Sequence, residues 1–175
     1  MIDFQETFGP PVESHQWRYI VLHHSATVGG NIAAIDAAHR NRKDQFSGAW
    51  LGIGYHFVIG NGNGMPDGQV EATFRWDEQA PGAHTSSPRY NLDGIGICLV
   101  GDFELAPPTV RQISSTEQLC QWLFERFAIL KKNVVRHHDV AATRCPGRLF
   151  PYGELLDYLP TDSVVTVGSR AVGDI

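Results

Sequence analysis

Apolar residues in this chain fall into two patterns: short dense runs that read as strands, and longer stretches with helical period. The first dense run, Arg18 to His24 (RYIVLHH), is β-branched and aromatic at its centre and predicts a buried strand. Trp50 to Ile59 (WLGIGYHFVI) predicts a second, with Tyr55 and His56 in its middle on opposite faces. Turn signals at Asn61-Gly62-Asn63-Gly64 and Asp67-Gly68 separate it from a short strand, Gln69 to Ala72, so the two form a hairpin. Gly94 to Val100 (GIGICLV) is apolar almost without break, as befits a central strand covered on both faces. Asn133 to Arg136 predicts one more short strand.

Helical period appears between these runs. Asn31 is a good cap for a helix to about Arg42, with Ile32, Ile35, Ala38 and His39 on its inner face. Thr109, with Gln112 three residues on, makes a capping box for a helix to about Lys132. Ile113, Thr116, Cys120, Leu123, Phe127 and Leu130 recur along it at helical spacing, and Lys131 and Lys132 suit its negative end. Pro151 to Leu159 predicts a last short helix, and Phe74 to Leu92 a long loop. Residues 1–16 read as an extended arm over the domain, 17–159 as its body and 160–175 as a tail. The order β-α-β-β-β-α-β-α predicts a single domain of α/β (α+β mixed) class: a central mixed sheet of about five strands flanked by about three helices.

Composition narrows the function. A length of 175 residues suits one domain with a sizeable core. A formal net charge of -5 argues against a nucleic-acid binder, which carries a basic field. No apolar run approaches the ~20 residues that span a bilayer, so membrane insertion is not expected. The first sixteen residues are polar and acidic, with no secretory signal visible, which favours a cytoplasmic site or release by another route. Three cysteines do not make a disulfide framework. Cys98 and Cys120 fall on apolar faces and read as small buried hydrophobes, leaving Cys145 in a polar, turn-rich setting.

That setting, Arg136 to Gly147 (RHHDVAATRCPG), carries the candidate chemistry. A strand delivers the doublet His137-His138, and the loop beyond it folds back to bring Cys145 alongside. A second doublet, His23-His24, closes the first strand. Neighbours on a strand point to opposite faces, so at most one histidine of that doublet faces a shared site. One histidine from each doublet with Cys145 gives two nitrogens and one sulfur, which leaves a fourth tetrahedral position, the mark of catalytic zinc. Zinc there lowers the pKa of water to ~7 and polarises a carbonyl. Hydrolysis also needs an oxyanion donor or a proton carrier, for which Tyr55, Thr143 and His84 are candidates. The loop from Phe74 to Leu92, with Trp76, His84, Thr85 and Asn91, is rich in aromatic and polar residues, as loops lining a binding cleft often are.

Six pieces in order resemble the zinc-dependent N-acetylmuramoyl-L-alanine amidase family, which includes phage amidases and peptidoglycan recognition proteins. They are Val21 to Thr27, Gly54-Tyr55-His56-Phe57, Asp67 to Glu71, Gly82-Ala83-His84-Thr85, Tyr90-Asn91 with Gly94 to Ile97, and His137 to Val140 with Cys145-Pro146-Gly147. The resemblance covers roughly residues 17–158. It implies one zinc ion held by His23, His137 and Cys145, a catalytic Tyr55, and Thr143 at the oxyanion. It also implies a groove around His84, and hydrolysis of the amide between N-acetylmuramic acid and L-alanine in peptidoglycan or a muropeptide. The expected protein is a monomer. Some branches of the family place a glutamate where Cys98 stands, which puts more weight on Tyr55 here. Residues around Ala72 to Trp76 do not match the positions that read the third stem-peptide residue. Two rivals remain: a non-catalytic peptidoglycan-binding module, and a thiol hydrolase with Cys145 as nucleophile.

Overall fold

The computed structural model describes residues 3–9, 14–41, 43–44, 48–49 and 51–161. The chain opens with a short helix where an extended arm was expected. Asp3 caps α1 (Phe4–Phe8) by accepting from the Glu6 amide, and Phe4 and Phe8, four apart, share one face. Phe4 stacks on Trp122 and Phe8 meets Phe57 edge-on, so the segment is docked on the core.

β1 (Tyr19–His24) follows, then α2 (Ile32–Arg40), whose cap Asn31 accepts from the Ala34 amide. A two-stranded ribbon, β2 (Lys43–Asp44) and β3 (Gly48–Ala49), comes next. The strand expected over 50–59 is regular only as β4 (Phe57–Ile59), and Trp50 lies outside the described residues. Residues 51–56 leave the ladder to meet the 82–84 loop: the Ala83 amide donates to the Gly54 carbonyl, and a Cβ at Gly54 would lie 2.1 Å from the Ala83 oxygen. β5 (Val70–Ala72) completes the expected hairpin.

The stretch expected as a loop over 74–92 holds two short helices. Thr73 caps α3 (Phe74–Asp77), and Pro88 opens α4 (Pro88–Leu92). β6 (Gly94–Leu99) is buried throughout. The Thr109–Gln112 capping box starts α5 (Val110–Phe127), which ends before Lys132 because Ala128 adopts a left-handed conformation, φ 51°. That turn sends Ile129 into the core and leaves Leu130 40% exposed, while Lys131 and Lys132 lie in a 3₁₀ turn. β7 (Val134–Arg136), α6 (His137–Val140) and α7 (Tyr152–Tyr158) close the domain.

The sheet order is β5-β4-β6-β1-β7, parallel except for β5 against β4. Alternation then sorts the side chains. Ile20, Leu22, Phe57, Ile59, Ile95, Ile97, Leu99 and Val134 join the larger core, with Leu119, Leu123 and Phe124 of α5. Val58 and Cys98 belong to a smaller cluster with Ile35 of α2 and Tyr55. Among the described residues no helix is long and apolar enough to cross a membrane.

Candidate metal centre

The sheet register builds the centre. β1 pairs with β7 through Leu22↔Arg136, so the next residues on the two strands are His23 and His137, whose rings lie 4.5 Å apart. On the other side of β1, His23 pairs with Cys98 of β6. His24 points the opposite way, where its Nδ1 accepts from the Phe103 amide. The doublet therefore divides as strand geometry requires, one ring to the centre and one to support.

His137 is the first residue of α6, and this turn is fixed from beneath. The Asp139 carboxylate accepts from the Arg136 amide and guanidinium at 2.9–3.1 Å. The loop beyond folds back so that the His138 amide donates to the Cys145 carbonyl. Its return depends on Gly147, at φ +104°, where a Cβ would lie 2.4 Å from the Phe103 backbone. Further contacts hold Cys145. Its amide donates to the Thr143 hydroxyl oxygen, its sulfur accepts from the His24 amide at 3.3 Å, and that sulfur lies 3.7 Å from His23 Nδ1.

Nitrogen and sulfur atoms of His23, His137 and Cys145 lie within 4.8 Å of one another, with His23 and Cys145 buried. Zn–N bonds of about 2.0–2.1 Å and Zn–S bonds of about 2.3 Å put tetrahedral donors roughly 3.3–3.8 Å apart, so the set fits a zinc ion with little movement. Burial, reinforced by His84 and His137, holds the His23 imidazole well below its ordinary pKa, and burial pushes His137 down to about 4. Both rings are thus neutral at pH 7, the form that ligates metal. Burial pushes the Cys145 thiol up to about 12, offset in part by the bond from the His24 amide.

The other expected site residues divide. The Tyr55 ring lies 4.9 Å from that of His23 and 5.3 Å from that of His39, and it borders a small pocket of about 110 Å³ with Ser25, Thr27, Gly30, Ala34 and Ala38. A hydrogen bond with Tyr55 works against the burial that raises the Cys98 thiol. Thr143 is exposed beside Cys145. Trp76, expected in the cleft, is instead a core residue, 1% exposed, with its indole N–H donating to the Phe8 carbonyl. The cap at Thr73 starts a helical turn that swings this ring inward. Asn91 uses its side chain as a staple, accepting from the amides of His84 and Thr85 and donating to the Thr85 carbonyl. Thr85 in turn bonds Ser87. His84 is only 5% exposed and lies behind His23, with its Nδ1 3.1 Å from His23 Nε2. Sequence reasoning placed His84 in the groove; the glycines around it, Gly82 and Gly96, were the available sign of a ring packed against backbone.

The sequence profile of the N-acetylmuramoyl-L-alanine amidase family (Amidase_2) matches residues 13–148. The chain belongs to this family. Within it, the endolysin of Enterobacteria phage T3 is 35% identical over 134 residues, covering 73% of this chain and 79% of the endolysin. The amidase LysC from Clostridium intestinale URNW superposes with a TM-score of 0.67 at 32% identity, covering 80% of this chain and 83% of LysC. Human PGRP-IBETAC, solved in complex with glycosamyl muramyl pentapeptide, shares the fold with a TM-score of 0.60 at 23% identity, covering 86% of this chain and 92% of its own. Membership gives the His23–His137–Cys145 set its context, since this trio is consistent with the zinc site of an amidase family.

Proposed function

We propose that this chain is a zinc-dependent N-acetylmuramoyl-L-alanine amidase, acting on peptidoglycan or muropeptides as a monomer with one zinc ion. The observation that carries the reading is the convergence of His23 Nδ1 from the end of β1 with His137 and Cys145 Sγ from the 136–147 stretch, beside a pocket bordered by Tyr55. Zinc bound there supplies Lewis acidity and an activated water at neutral pH. The chain's own residues do the rest. The neutral rings of His23 and His137 are ready to donate lone pairs without first losing a proton. Tyr55, alongside His23, offers a phenol to a developing oxyanion or leaving amine. Thr143, whose oxygen accepts from the Cys145 amide, keeps its hydroxyl hydrogen to donate toward the scissile carbonyl. Thr85 and Asn91 shape the wall near the site through their bonds to each other and to His84.

Two related proteins support the substrate: LysC is an N-acetylmuramoyl-L-alanine amidase by name, and the human PGRP was solved with a muramyl peptide. The thiol-hydrolase reading has less support, because it leaves the convergence of a second histidine on Cys145, His23 as well as His137, without a role. Digestion of purified peptidoglycan tests the proposal. The expected products carry new L-alanine amino termini and no new reducing sugars, and the reaction stops with a chelator and resumes with zinc. A protein that binds muropeptides without cleaving them, zinc present, overturns it in favour of a binding module.

A further inference from the structure

We propose that His84 is a positioning residue that decides which nitrogen of His23 faces the metal, through a relay anchored on the Gly94 carbonyl. This rests on the zinc reading of the site. The Gly94 oxygen can only accept, and His84 Nε2 lies 3.2 Å from it, so Nε2 carries the hydrogen. A neutral imidazole has one N–H, so His84 Nδ1 is an acceptor. It lies 3.1 Å from His23 Nε2, which therefore carries its ring's hydrogen. His23 Nδ1 is left with a lone pair, and that is the atom 3.7 Å from Cys145 Sγ. A backbone carbonyl at the start of β6 thus sets the tautomer of a ligand at the end of β1.

The slot for His84 is built into the backbone. A Cβ at Gly96 would lie 2.7 Å from the His84 ring and one at Gly82 2.3 Å from it, so this ring lies flat on β6 only because both positions are glycine. Asn91 holds the other end by accepting from the His84 amide. Ligating histidines generally give their second N–H to a carboxylate, carbonyl or water, and loss of that partner costs roughly 10- to 100-fold in metal affinity. Here the partner is another imidazole, with a carbonyl behind it.

The test pairs two variants with a spectroscopic readout. His84→Asn sets an amide oxygen where Nδ1 stood and keeps an acceptor for His23; His84→Leu removes it. Zinc affinity, measured by competition with a chromophoric chelator, is expected to weaken roughly 10- to 100-fold in His84→Leu and to return to within a few-fold of wild type in His84→Asn. Imidazole ¹⁵N shifts of zinc-free protein are expected to show His23 as the Nε2–H tautomer in wild type and His84→Asn, and as a mixture in His84→Leu. A His23 that is mainly Nδ1–H in wild type overturns the relay, as does a folded His84→Leu that binds zinc like wild type. If His84→Leu does not fold, the wild-type tautomer decides. If wild type takes no zinc, the zinc reading has failed, and the tautomer still decides the relay.

Discussion

The two faces of the central sheet come from alternate residues of the same strands and are made of different chemistry. On one face Ile20, Leu22, Ile95, Ile97 and Leu99 join Leu119, Leu123 and Phe124 of α5 in one apolar core. On the other, one residue away in each strand, stand His23, Gly96 and Cys98, overlaid by the rings of His84 and Tyr55. The first face gains stability simply by leaving water. The second buries imidazoles, which is unfavourable unless each finds a partner, and so its rings are paired to one another and to carbonyls. The comparison teaches that a period of two lets one set of strands hold a stable core and a preorganised polar site back to back.

Breaking the polar face at its ligands should have the largest effect. Cys145→Ser is expected to lose zinc and amide hydrolysis together, while thermal unfolding remains cooperative. Metal analysis after gel filtration checks it, and retention of stoichiometric zinc would remove Cys145 from the ligand set. Breaking the aliphatic face should do the reverse. Leu22→Ala, fully buried in wild type, is expected to cost about 2–5 kcal/mol in denaturant unfolding while the folded fraction still binds zinc. Tyr55→Phe sharpens the contrast within the polar face, with zinc retained and turnover down roughly 100-fold or more in a muropeptide assay.

Acid is expected to act gradually on the same polar face. Burial holds His23 well below 6.5, and His84 down to about 3, so the folded state binds fewer protons than the unfolded one as pH falls past 6.5. Their contribution to stability is complete above pH 6.5 and is lost progressively below it, on the order of 1 kcal/mol per pH unit for each ring. A thermal-shift series on zinc-free protein from pH 7.5 to 5 checks this, in a window above the titration of Asp36 and Asp139, whose carboxyls lie below the usual range beside Arg40 and Arg136. A flat series would mean the rings are charged in the fold.

Much of this was legible in the sequence because it rests on local patterns. Dense apolar runs mark β1 and β6, Thr109 and Gln112 mark a helix start, and two histidine doublets with a cysteine mark a ligand set. What was not legible depends on contacts between distant segments. Helix α1 has five residues, too few for a period, and is fixed by Trp122. The break before β4 is imposed by Ala83, twenty-nine positions beyond Gly54. Trp76 and His84 lie in one polar stretch that reads as a cleft, yet α3 turns the first into the core and the Gly82–Gly96 slot draws the second beneath His23. Propensity describes a residue's neighbours in sequence, and these outcomes are decided by neighbours in space.

The edge position of β7 has a consequence for how long a metal ion stays. This strand is three residues long and pairs with β1 alone, and it leads directly into His137 and the loop to Cys145. Two of the three candidate donors, His137 and Cys145, therefore follow an edge strand, and the third lies on a strand inside the sheet. Fraying of that edge is the expected opening by which a bound ion would escape before the domain unfolds. A bound ion would in turn latch that edge. Amide exchange across 134–147 should slow on zinc loading while that of β6 stays unchanged, so the residence time of the metal is a measure of local rather than global stability.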